Sequence, residues 1–162
     1  MNPEIVAAAW RAAREDISIP SKPWMCLSLA RRIVEAAHFN GEYAFYSKYL
    51  VKRTSMARAR NKDGSADMTP YASDIEASMK ALGFVIHKDN RQAGDLVFNW
   101  QAAKPFGHVG VLLDRDTVIE NVKPSFRPQS VNLWRPNGSP LYIALTPLSQ
   151  FNVTTFARLQ KR

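Results

Sequence analysis

A chain of 162 residues has room for one domain with a hydrophobic core, and too little length for two of ordinary size. With 46% hydrophobic and 22% charged residues it reads as a soluble globular protein, and no apolar run approaches membrane-spanning length. The formal charge of +8 favours an anionic partner or medium (nucleic acid, anionic membrane or bacterial wall) without choosing among them, and a single cysteine excludes an internal disulfide.

The N-terminus carries no positive n-region, and the apolar run from Ile5 is cut by Arg11, so no signal peptide is expected. Residues 3 to 16 read as a first helix. Asn2 suits the N-cap, Pro3 the first helical position, and Ile5, Ala8, Ala9, Ala12 and Ala13 form an apolar stripe. Residues 17 to 23 link it to a second helix, which runs to about residue 39 and stops near Asn40-Gly41. Its apolar positions Cys26, Leu29, Ala30, Ile33 and Ala37 recur at the spacing of one helix face. Pro20 and Pro23 preclude an earlier start, which places Cys26 in the first turn. There the helix dipole and free N–H groups favour a thiolate and can bind a developing oxyanion. A lone cysteine is more often a small buried hydrophobe, so the nucleophile reading needs a base elsewhere in the chain. His38, in the last turn, suits the helix dipole and a structural role. Trp24, and Trp100 further on, are candidate substrate-binding residues, although a tryptophan beside a helix start is more often core.

Residues 42 to 52 read as another helix, with Tyr43, Tyr46, Leu50 and Phe45 as candidates for its inner face. Arg53, Arg58, Arg60 and Lys62 then crowd a segment ending at Asp63-Gly64-Ser65, which reads either as an electrostatic patch or as a solvated loop. No aromatic residues interleave these charges, which weakens a single-strand nucleic-acid site. Thr69-Pro70 opens a helix that ends before Gly83, with Ile75, Met79 and Leu82 inward. Residues 84 to 87 form a short strand, with His87 at its solvent end.

Three β-type runs follow: Gly94-Asp95-Leu96-Val97-Phe98-Asn99, Gly107-His108-Val109-Gly110-Val111-Leu112-Leu113 and Thr117-Val118-Ile119-Glu120-Asn121. Asp114-Arg115-Asp116 joins the last two as a hairpin. His108 stands at the mouth of its strand, and hairpin pairing brings it beside Glu120 or Asn121, one of which can orient the imidazole. Side chains alternate along a strand, so only one of the two can do so. Residues 123 to 129 read as a turn-rich excursion. Residues 131 to 134 and 141 to 145 are the last strands, with a turn at Pro136-Asn137-Gly138, and residues 156 to 162 form a basic tail. The chain shows no phosphate-binding glycine loop, no zinc-ligand spacing and no clear glycosidase carboxylate pair, with Glu15 and Asp16 left as the remaining carboxylates to place.

A helix-borne Cys26, then Gly94-Asp95-Leu96-Val97-Phe98, then Gly107-His108-Val109-Gly110-Val111, then a polar residue twelve beyond the histidine resembles the NlpC-type cell-wall peptidases and the related CHAP group. The resemblance covers roughly residues 20 to 122. It departs from the family at Met25-Cys26-Leu27-Ser28, where Asp-Cys-Ser-Gly is usual, and at Glu120, where NlpC-type enzymes carry His, Asn or Gln and CHAP-type sites carry Glu.

The resemblance implies a single α+β domain over residues 1 to 162 with a papain-like (NlpC-type) fold, N-terminal helices packed on an antiparallel sheet of four to six strands. It implies a cysteine peptidase or amidase with Cys26 as nucleophile, His108 as general base and Glu120 as the orienting third residue, Asn121 being the rival. No cofactor or metal is expected. The implied partner is the peptide stem of peptidoglycan, together with virion or tail proteins if the chain is a phage lysin, delivered by holin-type release or within a virion. The alternatives are a virion structural protein with a weak or inactive site of the same fold and, resting on charge alone, a nucleic-acid-binding protein.

Overall fold

The computed structural model describes residues 2–38, 44–54, 62–65, 68–99 and 106–160. Helix α1 spans Pro3–Ala13, with the Asn2 side chain accepting from the Ile5 N–H at 3.3 Å. Ile5, Ala8, Ala9 and Ala12 are its buried residues, four members of the expected stripe. It ends three residues earlier than its pattern predicted, because Glu15 turns into the left-handed region (φ 60°). Helix α2 spans Cys26–His38 and lies against α1. At its end His38 Nδ1 lies 2.9 Å from Glu4 Oε2 and Nε2 hydrogen-bonds with the Asn2 side chain, tying the end of α2 to the start of α1, which is the structural role expected of it. Helix α3 is only Ala44–Tyr49, and it buries Phe45 and Tyr49 fully while Tyr46 and Leu50 are half-buried. Phe45, Tyr46 and Leu50 of the expected inner face all pack on the main core, and Tyr49 joins them. Tyr43 and the expected Asn40-Gly41 stop lie outside the described residues. Helix α4 spans Ala72–Leu82, opens where the Asp74 carboxylate accepts from the Tyr71 N–H at 2.8 Å, and buries Ile75 and Met79.

Among the described residues seven strands form one sheet, with every pairing antiparallel: β1 Val85–Ile86, β2 Leu96–Asn99, β3 His108–Leu112, β4 Thr117–Asn121, β5 Val131–Trp134, β6 Pro140–Pro147 and β7 Thr155–Ala157, in the order β1-β7-β2-β3-β4-β6-β5. The fold is α+β, as expected, with more strands than the four to six anticipated. The strand missed by sequence reading is β7, inside what read as a basic tail. Three residues are too few to show alternation, and Thr155–Ala157 becomes a strand only because it fits between β1 and β2. The next residue, Arg158, clasps the buried Asp95 at 2.8 and 2.9 Å. Asp95 also accepts from the Gln92 N–H at 2.7 Å, so the Gly94-Asp95 turn holds the C-terminal segment in place.

Alternation divides the sheet. Val109, Val111 and Ile119 face the helices in the main core, while Leu112 and Val118 join Val97 and Phe151 in a second cluster on the other face. Helix α2 lies over β3 and β4, which brings its N-terminus to the mouth of that pair. No helix among the described residues is long and apolar enough to cross a membrane.

If Arg158 holds β7 in the sheet, Arg158→Ala should lower unfolding stability by about 1–2 kcal/mol. Urea denaturation measures this, and an unchanged midpoint would show that the segment is a tail after all.

Candidate functional site

Cys26 is the first residue of α2. The approach to it is constrained from both sides. Trp24 adopts a left-handed backbone (φ 65°), a conformation that costs a bulky residue of order 1–3 kcal/mol and persists only where neighbours enforce it. The enforcing neighbour is Asn121 on β4. Its Oδ1 accepts from the Met25 N–H at 2.6 Å, and its Nδ2 donates to the carbonyls of Lys22 (3.0 Å) and Tyr142 (3.1 Å). One amide thus bridges both ends of the turn that presents Cys26, whose thiol sits among the backbone N–H groups of the first helical turn, that of Leu27 donating to it.

His108 opens β3 directly after Gly107, whose backbone is left-handed (φ 70°); a Cβ there would lie 3.1 Å from the Ser73 N atom at the start of α4. Two residues on, a Cβ at Gly110 would collide with Val118 and come within 3.3 Å of the Phe151 ring. That ring stacks on the imidazole, with centroids 5.2 Å apart and planes inclined by 28°. The Gly-His-Val-Gly run is therefore a turn, a functional side chain, a core residue and a space for the ring that braces the side chain.

The hairpin register pairs Val111 with Ile119 and Leu112 with Val118. Continued one step it sets Gly110 opposite Glu120, so His108 and Glu120 are diagonal neighbours on one face while Asn121 projects from the other. His108 Nε2 lies 2.7 Å from Glu120 Oε1. The ring nitrogen left for the thiol is Nδ1. Of the two candidates for the third position, Glu120 meets the imidazole and Asn121 holds the turn before Cys26.

Glu120 is fully buried. Burial alone would raise its pKa, but the hydrogen bond and charge of His108, the charge of Arg127 and a hydrogen bond from Thr146 pull it below the ordinary carboxylate value. Arg127 was not foreseen. It sits in the segment between β4 and β5 and donates from Nε to Glu120 Oε2 at 2.8 Å and from an Nη to Oε1 at 3.2 Å. Nothing in the local sequence marks it, because it is one arginine in a turn-rich stretch of a basic chain. Burial likewise opposes charge on His108, yet hydrogen bonds and charge from Cys26 and Glu120 push its pKa up to about 9. For Cys26 burial would raise the pKa; the hydrogen bond and charge of His108 and the backbone N–H groups of Val109 and Leu27 bring it below the ordinary thiol value. Lowering the thiol pKa while raising that of the imidazole favours a thiolate beside an imidazolium.

Cys26, His108 and Arg127 line a cleft of about 1030 Å³, with Glu120 buried behind the imidazole. On one rim Trp24 meets Phe126 edge-to-face (4.9 Å), and on the other Tyr71 meets Phe106 in the same way (4.7 Å). Trp24 is 53% exposed, so it is a rim residue and not the core residue its position implied. Trp100 lies outside the described residues, as do Arg58 and Arg60; Lys62 is exposed. Glu15 is bound to Arg135 and Asp16 to Arg14, and neither lines the cleft. His87 is exposed and caps a short 3₁₀ turn, away from the thiol as expected.

Comparison of the chain with protein families, with curated proteins and with solved structures found no match.

Two outcomes follow from the geometry. With the thiol pKa lowered and that of His108 near 9, the ion pair exists from the lowered thiol pKa up to about pH 9. Iodoacetamide should therefore alkylate folded protein faster than denatured protein at about pH 6 to 7, and equal rates would mark Cys26 as an ordinary thiol. The second outcome separates the two β4 side chains. Glu120→Gln should lower the pH at which the imidazolium loses its proton, leaving the thiol accessible. Asn121→Ala should leave that pH in place, cost about 1–2 kcal/mol of stability, and slow alkylation through a displaced turn. Alkylation profiles together with melting curves measure both.

Proposed function

We propose that this chain is a cysteine hydrolase of papain-like, NlpC/CHAP-type architecture that cleaves an amide bond in the peptide part of peptidoglycan. The observation that carries the reading is a thiol at the first position of a helix and an imidazole sharing one cleft, with a buried carboxylate hydrogen-bonded to the imidazole from behind. Cys26 attacks the amide carbonyl as a thiolate. His108 holds the proton and delivers it to the leaving amine, then takes a proton from the water that releases the acyl group from sulfur. Glu120 keeps the imidazole oriented and stabilises its charged form. The N–H groups at the start of α2 lie where the oxyanion develops.

The choice of peptidoglycan rests on three supports. The motifs around Cys26, Gly94-Asp95 and Gly107-His108 resemble wall peptidases. The formal charge of +8 suits a polyanionic wall. The cleft has aromatic rims and, among its described lining residues, arginines without a carboxylate. A phage lysin, free or virion-borne, is the biological setting this reading favours.

In a zymogram on purified sacculi the wild-type chain should clear the wall and Cys26→Ala should not, with a loss of at least about 10³-fold in rate, as expected for removing a nucleophile. A folded wild-type chain that leaves sacculi and soluble muropeptides uncut would overturn the reading. In that case salt-sensitive binding to duplex DNA would favour the nucleic-acid alternative, and co-assembly with virion proteins the structural one.

A further inference from the structure

Removing one charge of a buried pair leaves the other uncompensated, and Glu120 has two partners of opposite position in the site. His108 holds Oε1, and Arg127 holds Oε2 and shares Oε1. Arg127 is itself fixed. Its third donor goes to the Gln150 carbonyl, and its guanidinium lies over the Phe126 ring (5.3 Å) and the Phe151 ring (5.4 Å). Phe151 is the ring stacked on His108, and Phe126 is the ring set against Trp24, two residues before the thiol. The segment between β4 and β5 therefore reaches every member of the site through one arginine and its neighbour.

We infer that Arg127 is a positioning residue for the Cys26–His108 pair, acting through Glu120: it holds the carboxylate in place and sets the pH window in which the thiolate–imidazolium state exists. The inference rests on the thiol-hydrolase reading and adds to it a fourth charged member. Written as charges, the chain Cys26, His108, Glu120, Arg127 alternates minus, plus, minus, plus. Without the guanidinium, Glu120 would face the imidazolium as an uncompensated buried anion. The imidazolium would then hold its proton to higher pH, and the thiol, with one positive charge fewer nearby, would also ionise at higher pH. The whole window moves up. Loss of the Glu120 charge does the reverse to the imidazolium, so the two substitutions differ in sign. Among the described residues, the other charged and titratable groups that line the cleft are Arg31 and Arg32 from α2, Tyr46 from α3 and Tyr71 at the start of α4. Arg31 is ion-paired with Glu35 at 2.8 Å, and none of these touches the Glu120 carboxylate.

The test follows thiolate formation by ultraviolet absorbance and by iodoacetamide alkylation across pH, which needs no substrate. Arg127→Met should move the alkylation midpoint up by about one pH unit, and Arg127→Gln, which keeps a donor without the charge, should move it in the same direction. Arg127→Lys, which keeps the charge, should stay within a few tenths of a unit of wild type, with a slower rate from the lost two-point grip. Glu120→Gln should move the point of imidazolium proton loss down. If Arg127→Met does not fold, Arg127→Gln carries the same test. Folded Arg127→Met or Arg127→Gln with an unmoved midpoint, whatever its rate, would overturn the inference while leaving the Cys26–His108 reading intact. A wild-type midpoint at the ordinary thiol value would overturn both.

Discussion

A carboxylate with no exposure to water is the constraint around which this molecule is arranged. Glu120 sits in the middle of the sheet, on a strand flanked by β3 and β6. An isolated charge there would be prohibitive, and removing either cation from it leaves an uncompensated ion. Its two oxygens are therefore committed, one side to His108 and the other to Arg127. The imidazole gains a fixed orientation and a raised pKa from the same contact, and the thiol at the start of α2 gains a cation. What would be a liability in an inert core becomes the source of the site's polarity.

The backbone around the site is built to tolerate that arrangement. Gly107 lets β3 begin hard against the start of α4, and Gly110 leaves the space in which Phe151 braces the imidazole. On the helix side the left-handed Trp24 is held by Asn121, so the thiol is presented by a strained turn that the sheet itself secures. Adjacent residues on β4 thus serve the two halves of the site from opposite faces, Glu120 toward the imidazole and Asn121 toward the turn before the thiol. This division follows from the two-residue period of a strand, and it explains why both positions looked suited to one role when only their spacing was visible.

The cleft adds a second layer of organisation. Its rims carry edge-to-face aromatic pairs that leave Trp24, Phe126 and Phe106 about half exposed, an expensive display for a surface without a partner. Phe126 is next to Arg127, so the residue that contacts the rim and the residue that contacts Glu120 move together. In the proposed hydrolase, contact of a substrate with that rim and alignment of the base would be parts of one rigid unit.

Much of this was legible in the residues. Asn2-Pro3 and the spacing of Ile5, Ala8, Ala9 and Ala12 determined α1, and the two prolines before Cys26 set the thiol at a helix start, because capping and proline sterics are local. Alternating residues and the Asp114–Asp116 connection determined the hairpin, and with it that His108 would lie beside Glu120 or Asn121; the register of the folded pair decided for Glu120. Tertiary structure alone decided the rest. The three residues of β7 had no pattern to show until β1 and β2 gave them partners. Trp24 was sent to the rim by a backbone turn held by Asn121, almost a hundred residues away. Arg127 carried no mark in the chain, since its role depends on a buried carboxylate seven positions earlier on a different element. Local chemistry could be read from neighbours in sequence; the satisfaction of a buried charge is a condition on neighbours in space, and only the folded chain supplies them.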